Sequence, residues 1–193
     1  YIQDPKQRHI HKALVRDRVL HHAVFSVINP IFEETFIAAS FSCRIGYGTH
    51  RGVEVLAKIL SRVSKNGTGP CFALKCDIYK FFDTVDHAIL FSIIKNRIKD
   101  ADALWLLKTI IKSYSLSLSL SLSGSGRSKG IPIGNLTSQL FANIYFNELD
   151  QFIKHELKIK NYVRYTDDFV VVSDNRKDLE NILPTISEFL QNK

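Results

Sequence analysis

Methionine is missing from all 193 residues, and the chain opens on Tyr1-Ile2-Gln3-Asp4 with neither an initiator nor an apolar leader. No secretory signal is written into it, and it reads as a fragment of a longer protein. Cysteine is scarce: Cys43, Cys71 and Cys76 make neither an even disulfide set nor a closely spaced metal-ligand pair. A reducing, cytoplasmic setting is the expectation. No apolar run approaches the ~20 residues that a membrane span requires. Acids are the minority charge, 19 against 26 lysines and arginines, for a net +7, a surplus that favours a polyanionic partner. With 45% apolar, 23% charged and 11% aromatic residues, disordered and collagenous classes are excluded. A chain of this length buries roughly two thirds of its unfolded surface and can build a core.

The N-terminal third mixes cations with a helical spacing of Leu14, Val15, Val19, Leu20, Ala23 and Val24, which predicts a buried face. Polar punctuation at residues 44–50 precedes a second amphipathic helix with Val53, Leu56, Ala57, Ile59, Leu60 and Val63, ended by Asn66-Gly67-Thr68-Gly69-Pro70. Residues 71–78 read as an apolar strand closing on Asp77, and Asp86 as the N-cap of a helix through Ile89, Leu90, Ile93 and Ile94. A further helix is predicted over 101–111. Residues 115–123 alternate serine and leucine, a period of two that predicts a strand with its leucines on one face. The stretch 113–130 is then either a hairpin arm or a low-complexity insertion. The clearest amphipathic helix carries Leu140, Phe141, Ile144, Tyr145, Leu149, Phe152, Ile153 and Leu157. Residues 162–165 and 169–173 read as strands flanking Thr166-Asp167-Asp168, and a last helix runs through Leu179, Ile182, Leu183, Ile186, Phe189 and Leu190.

Asp77 thus ends one strand, and Asp167 and Asp168 sit at a turn between two others. Carboxylates gathered among apolar strands repel one another and are costly to desolvate, so such a cluster normally persists by binding cations. Oxygen-only donors suit magnesium, and two such ions roughly 4 Å apart promote in-line displacement with pyrophosphate leaving. Taken singly, each acid also has a plain structural reading, as a turn residue or a helix cap.

Cys76-Asp77-Ile78-Tyr79-Lys80-Phe81-Phe82-Asp83, then Gly130-Ile131-Pro132-Ile133-Gly134-Asn135-Leu136-Thr137-Ser138-Gln139, then Tyr165-Thr166-Asp167-Asp168, resemble in order three core motifs of reverse transcriptases. Upstream, Asp4-Pro5-Lys6-Gln7-Arg8 with Arg16-Asp17-Arg18 resembles the opening segment of the fingers. Ser42-Cys43-Arg44-Ile45-Gly46-Tyr47-Gly48-Thr49-His50 resembles the next block. The resemblance covers nearly the whole chain and implies an α+β fold. Residues 1–70 would be the fingers segment and 71–193 the palm, an antiparallel sheet packed on helices as in right-hand polymerases, with the thumb absent.

The activity implied is RNA-directed DNA polymerisation on template RNA, extending a primer or cDNA with deoxynucleoside triphosphates. By matching motifs Asp77, Asp167 and Asp168 are the catalytic and metal-binding residues, joined by the carbonyl of Ile78, for two Mg2+ ions with Mn2+ as a substitute. Arg8, with Lys6, would meet the triphosphate, where a guanidinium suits forked hydrogen bonding. Phe82 would pack where a ribose 2′-hydroxyl lies, and Ile133 and Gly134 beside the nascent base pair. Ser138, Gln139, Tyr165 and Thr166 would face template and primer. Without its thumb the fragment is expected to grip primer and template weakly. Thr166 stands where alanine or methionine is more usual in the family.

Most reverse transcriptases show Gln-Gly followed after three residues by Ser-Pro, where this chain has Ile133-Gly134 followed by Ser138-Gln139. That pattern is similar to the enzymes of diversity-generating retroelements, which copy RNA with errors opposite adenine. Isoleucine in place of glutamine removes a hydrogen-bonding group beside the base pair, and looser geometric selection follows. This resemblance implies a small basic accessory protein as partner. Retron, group II intron and phage-defence enzymes are the alternatives.

Other readings of the same residues remain open. Phe82 is also a fitting core aromatic beside Phe81, Ile133 a core residue before a helix and Gly134 a turn. Arg44, Arg51, Lys58, Arg62 and Lys65 could meet backbone phosphates, although a solvated surface is the plainer role for most of them. His9, His11, His21 and His22 have no cysteine or acid at zinc-finger spacing and read as exposed or core-satisfied. A catalytically idle RNA-binding module has no need of three mutually repelling acids. A nucleotide cyclase would carry a Gly-Gly acidic hairpin, and viral RNA-dependent RNA polymerases usually place Gly where Thr166 stands.

Overall fold

In a computed structural model the backbone is described for residues 2–4, 6–8, 13–118 and 129–191, with side chains over 13–113 and 129–191. In chain order the elements are β1 (Ile2–Asp4), β2 (Lys6–Arg8), α1 (Val15–Glu33), α2 (Thr49–Val63), β3 (Phe72–Asp77), α3 (Phe81–Thr84) and α4 (His87–Arg97). There follow α5 (Ala101–Leu118), α6 (Leu136–Gln151), a π-helical turn (Phe152–Glu156), β4 (Tyr162–Tyr165), β5 (Asp168–Ser173) and α7 (Arg176–Gln191). Two compact units result, one from residues 1–34 and 80–145, the other from 35–79 and 146–193. Among the described residues no helix is long and apolar enough to cross a membrane.

In the first unit α1 buries His21, Val24, Ile28 and Phe32, one stripe at steps of three or four residues. The predicted face is largely the wrong one: of its members only Val24 is buried, while Val15 and Val19 are 67% and 65% exposed. His21 can occupy an inward position because its ring nitrogen Nδ1 hydrogen-bonds the Thr137 hydroxyl at 2.9 Å, which removes the cost of burying a bare polar group. Asp86 caps α4 as expected, its carboxylate accepting from Ala88 N at 2.9 Å and Ile89 N at 3.2 Å. Leu90 and Ile94 of that helix are fully buried, and Leu107 and Ile111 of α5 and Leu140, Phe141 and Ile144 of α6 are buried as well. Helix α5 continues beyond 111 through Leu118, so residues 115–118 of the serine-leucine repeat are helical and not a strand. An established helix adds one backbone hydrogen bond per residue, and leucine propagates it well, which overrides the period-two pattern there. The remainder of the repeat lies outside the described residues.

The second unit is built on a three-stranded antiparallel sheet in the order β3-β5-β4. Val163 and Val172 on one face join Phe41 and Ile59 in a buried cluster under α2. Alternation along β5 points Phe169 and Val171 to the other face, with Tyr162 and Arg164 of β4. Val53 and Ala57 turn outward on α2, contrary to the predicted face, because Gly52, Val55, Leu56 and Ile59 make the stripe that meets the sheet. Helix α7 packs along β3 and β5, burying Leu179 and Ile186 and leaving Leu183 45% exposed. The rings of Phe189 and Phe152 stack at 4.2 Å.

Candidate active site

Three acids converge at one end of this sheet. Asp77, the last residue of β3, is the register partner of Asp168, the first residue of β5. Directly paired residues project to the same face, so the two carboxylates share a side of the sheet at its end. Asp167 precedes Asp168 in the two-residue link from β4, and its carbonyl accepts a hydrogen bond from Ile78 N at 3.3 Å. The expected set Asp77, Ile78, Asp167 and Asp168 is therefore brought together across 90 residues of sequence. The Nζ of Lys75, two residues before Asp77 on the same face, lies 3.6 Å from Asp168 Oδ1.

The turn is held from beneath. Thr166 has φ +53°, a left-handed backbone that a β-branched residue seldom adopts. Its hydroxyl donates to Ser42 Oγ at 2.6 Å, and its carbonyl accepts from Arg164 Nη1 at 3.0 Å. Arg164 is wholly buried, as is the Asp150 that it meets in a forked pair, Nε to Oδ1 at 2.9 Å and Nη2 to Oδ2 at 2.6 Å. Nη2 also donates to Ser40 Oγ at 2.8 Å, and Tyr162 donates its phenol hydrogen to Asp150 Oδ1 at 2.8 Å. Burial pulls the guanidinium pKa down, but the Asp150 carboxylate and its hydrogen bonds reverse that and leave it above its ordinary value. Burial, with Asp150 adding to it, pushes the Tyr162 phenol well up, so it stays protonated as a donor.

None of Arg164, Asp150, Ser40 or Ser42 was among the predicted site residues. One signal was available: Asp150 stands between Leu149 and Ile153 on the apolar face of the clearest amphipathic helix of the sequence, and an acid there demands a buried cation.

The other predicted residues fall as follows. Tyr165 is 42% exposed, and its hydroxyl accepts from Thr49 Oγ1 at 3.1 Å. In the first unit the carbonyl of Phe82 accepts from Ile131 N at 2.7 Å, which ties the segment 129–131, leading into Ile133 and Gly134, alongside Phe82. The Phe82 ring is half-buried, edge-on to Phe81 at 5.4 Å, and it is Phe81 that takes the core position. Ile133 is half-buried, Gly134 is exposed with φ +115°, Gln139 is exposed and Ser138 is buried. Gly134 and Gln139 line a cleft with Arg18, His21, His22 and Leu136. Lys6 and Arg8 lie on β2, paired with β1. Arg44 is buried, donating to the carbonyls of Ile37 and Ser40 at 2.7 Å each and lying over the Tyr47 ring at 3.9 Å. It supports the chain instead of offering a free cation to phosphate. His21 is core-satisfied and His22 exposed, as expected, whereas His9 and His11 lie outside the described residues.

Among the described residues no group of three or more histidine, cysteine, aspartate or glutamate side chains is placed so that it could hold a metal ion. The residue types at the sheet end are nevertheless those that suit a hard divalent cation: Asp77 and Asp168 paired in register, Asp167 next to them in the chain, and main-chain carbonyls at the same turn.

Protein YkfC of Escherichia coli K12 is 29% identical over 150 residues, covering 78% of this chain and 38% of that protein. Group II intron-encoded protein LtrA of Lactococcus lactis subsp. cremoris is 28% identical over 144 residues, 75% of this chain and 22% of that protein. An apo telomerase structure from Candida tropicalis superposes with a TM-score of 0.60 at 14% identity, over 88% of this chain and 36% of the other, a likeness of fold. The chain thus spans less than two fifths of the length of each of these proteins. A sequence profile described as reverse transcriptase (RNA-dependent DNA polymerase) matches residues 3–193. With that match running almost end to end, the chain belongs to the reverse transcriptase family.

Proposed function

We propose that this chain carries the polymerising centre of an RNA-directed DNA polymerase that extends a primer on template RNA from deoxynucleoside triphosphates. The observation that carries the reading is the register pairing of Asp77 with Asp168, with Asp167 in the adjoining turn. These three carboxylates and the Ile78 carbonyl are the groups that would hold Mg2+, or Mn2+ in its place. When bound, a pair of such ions supplies activation of the primer hydroxyl and stabilisation of the departing pyrophosphate. Arg8 and Lys6 bind the triphosphate through charge-assisted hydrogen bonds. Phe82 excludes a 2′-hydroxyl by bulk, Ile133 and Gly134 border the nascent base pair, and Ser138, Gln139, Tyr165 and Thr166 orient template and primer. The segments 1–70 and 71–193 serve as fingers and palm.

The similarity to a group II intron-encoded protein favours an intron-type enzyme. A second reading, a diversity-generating retroelement enzyme with a small basic accessory protein, rests on Ile133-Gly134 and Ser138-Gln139 alone.

The test is primer extension on RNA with Mg2+ by the full-length protein and its Asp167→Asn variant. Loss of extension to background with an unchanged melting curve is expected. Undiminished extension by the variant, or none by the unaltered protein, overturns the reading.

A further inference from the structure

We propose that Arg164, locked by Asp150, is the positioning residue of the acidic turn: by clamping the Thr166 carbonyl it holds that residue left-handed and so sets Asp167 and Asp168 beside Asp77. The inference rests on the polymerase reading for its functional sense, but its geometry is independent of it.

A threonine at φ +53° costs free energy unless its surroundings fix it. Two contacts do so here, one to the side chain and one to the main chain: Ser42 takes the hydroxyl at 2.6 Å and Arg164 the carbonyl at 3.0 Å. Arg164 is suited to this work because four groups fix its own guanidinium. Both oxygens of Asp150 and the Ser40 hydroxyl hold it, and the Phe146 ring lies 5.1 Å from its centre. A planar fork fixed on three sides presents its remaining N–H in one direction. The path from Asp150 to the acids is short and rigid: one guanidinium, one carbonyl, then Asp167. Side chains that orient metal-binding carboxylates from one layer out commonly change metal affinity by 10–100-fold when removed.

A plain buried ion pair that only supports the fold would behave differently. Replacing such a pair with apolar residues of similar size is often neutral or stabilising. The test therefore uses the full-length protein carrying Asp150→Leu, Tyr162→Phe and Arg164→Met together, which leaves neither the acid nor its phenol partner stranded. Mn2+ is the probe, titrated by electron paramagnetic resonance, and primer extension is followed in parallel. The expected result is a melting midpoint close to that of the unaltered protein, Mn2+ affinity lower by about tenfold or more, and a fall in kcat larger than any rise in KM for the nucleotide. Unaltered Mn2+ affinity in the folded triple variant overturns the proposal.

Should the triple variant fail to fold, Ser42→Ala loosens the same turn from its other tether. A few-fold loss of Mn2+ affinity is expected, and no loss overturns the proposal. Because Mn2+ binding is read without polymerisation, the two readings separate: an unaltered protein that binds Mn2+ at the acids yet never extends a primer defeats the polymerase reading and leaves the positioning role standing.

Discussion

Lys75 on β3 reaches diagonally across the sheet to Asp168 on β5, its Nζ 3.6 Å from Oδ1, on the face that also carries Asp77. A cation is thereby placed where a metal ion would compete for the same oxygen. Both side chains are well exposed, so solvent screens the attraction to ~0.2–1 kcal/mol. Lys75→Met is expected to tighten Mn2+ binding by roughly 1.5–5-fold, the equivalent of that energy. An Mn2+ titration giving equal or weaker affinity would show that the lysine does not compete.

Acidification should weaken the first unit through His21. Burial pushes its imidazole below the ordinary 6.5, Asp17 pulls it partly back, and His22 adds to the fall. As pH drops below about 6.5 the unfolded chain takes up the proton first. The stability associated with His21 is therefore fully present above that value and is lost as pH falls through the folded pKa. Urea titrations at pH 7.5 and 5.5 should show a smaller difference for His21→Gln than for the unaltered protein; an equal difference would assign the acid sensitivity to other groups.

Gly52 fixes how closely α2 meets the core. A Cβ there would stand 3.3 Å from Phe41 Cγ. Gly52→Ala sets that crowding against a gain of about 0.8–1 kcal/mol in helix propensity, and near-neutral stability is expected. Gly52→Val adds branches that the Phe41 ring must move to admit, for an expected loss of about 1–3 kcal/mol. Denaturant midpoints distinguish the two, and a Val variant as stable as the Ala variant would mean that the ring yields freely.

Ile133 offers the test between the two subtypes. Under the retroelement reading, Ile133→Gln should reduce misincorporation opposite adenine, measured by sequencing cDNA from a defined RNA. Error rates that are low and equal before and after the change would leave the intron-type reading alone.

The strand-turn-strand around the acids was legible in the sequence because its information is local. Tyr162-Val163-Arg164-Tyr165 and Phe169-Val170-Val171-Val172 are β-rich runs, and a two-residue link between them leaves little freedom in register. Pairing with the distant β3 followed from family motifs, not from spacing. The support beneath the turn was not legible. Arginine within a strand reads as a solvent-facing residue, and nothing in its own neighbourhood announces an acid 14 positions earlier on a helix. Helix α1 failed for a different reason: Val15, Val19 and Val27 form one apolar stripe and Val24, Ile28 and Phe32 another. Periodicity gives the spacing of a stripe but not which of two the rest of the molecule covers.

A guanidinium cannot enter an apolar interior alone, so Arg164 can be buried only when Asp150 is already in place to receive it. The β4-β5 hairpin and the end of α6 must consequently consolidate in one cooperative step. The backbone amides flanking the acids should then exchange with solvent through large-scale opening, and not through local fraying of the turn. The arrangement of the acids at the tip and the integrity of the surrounding fold are lost together.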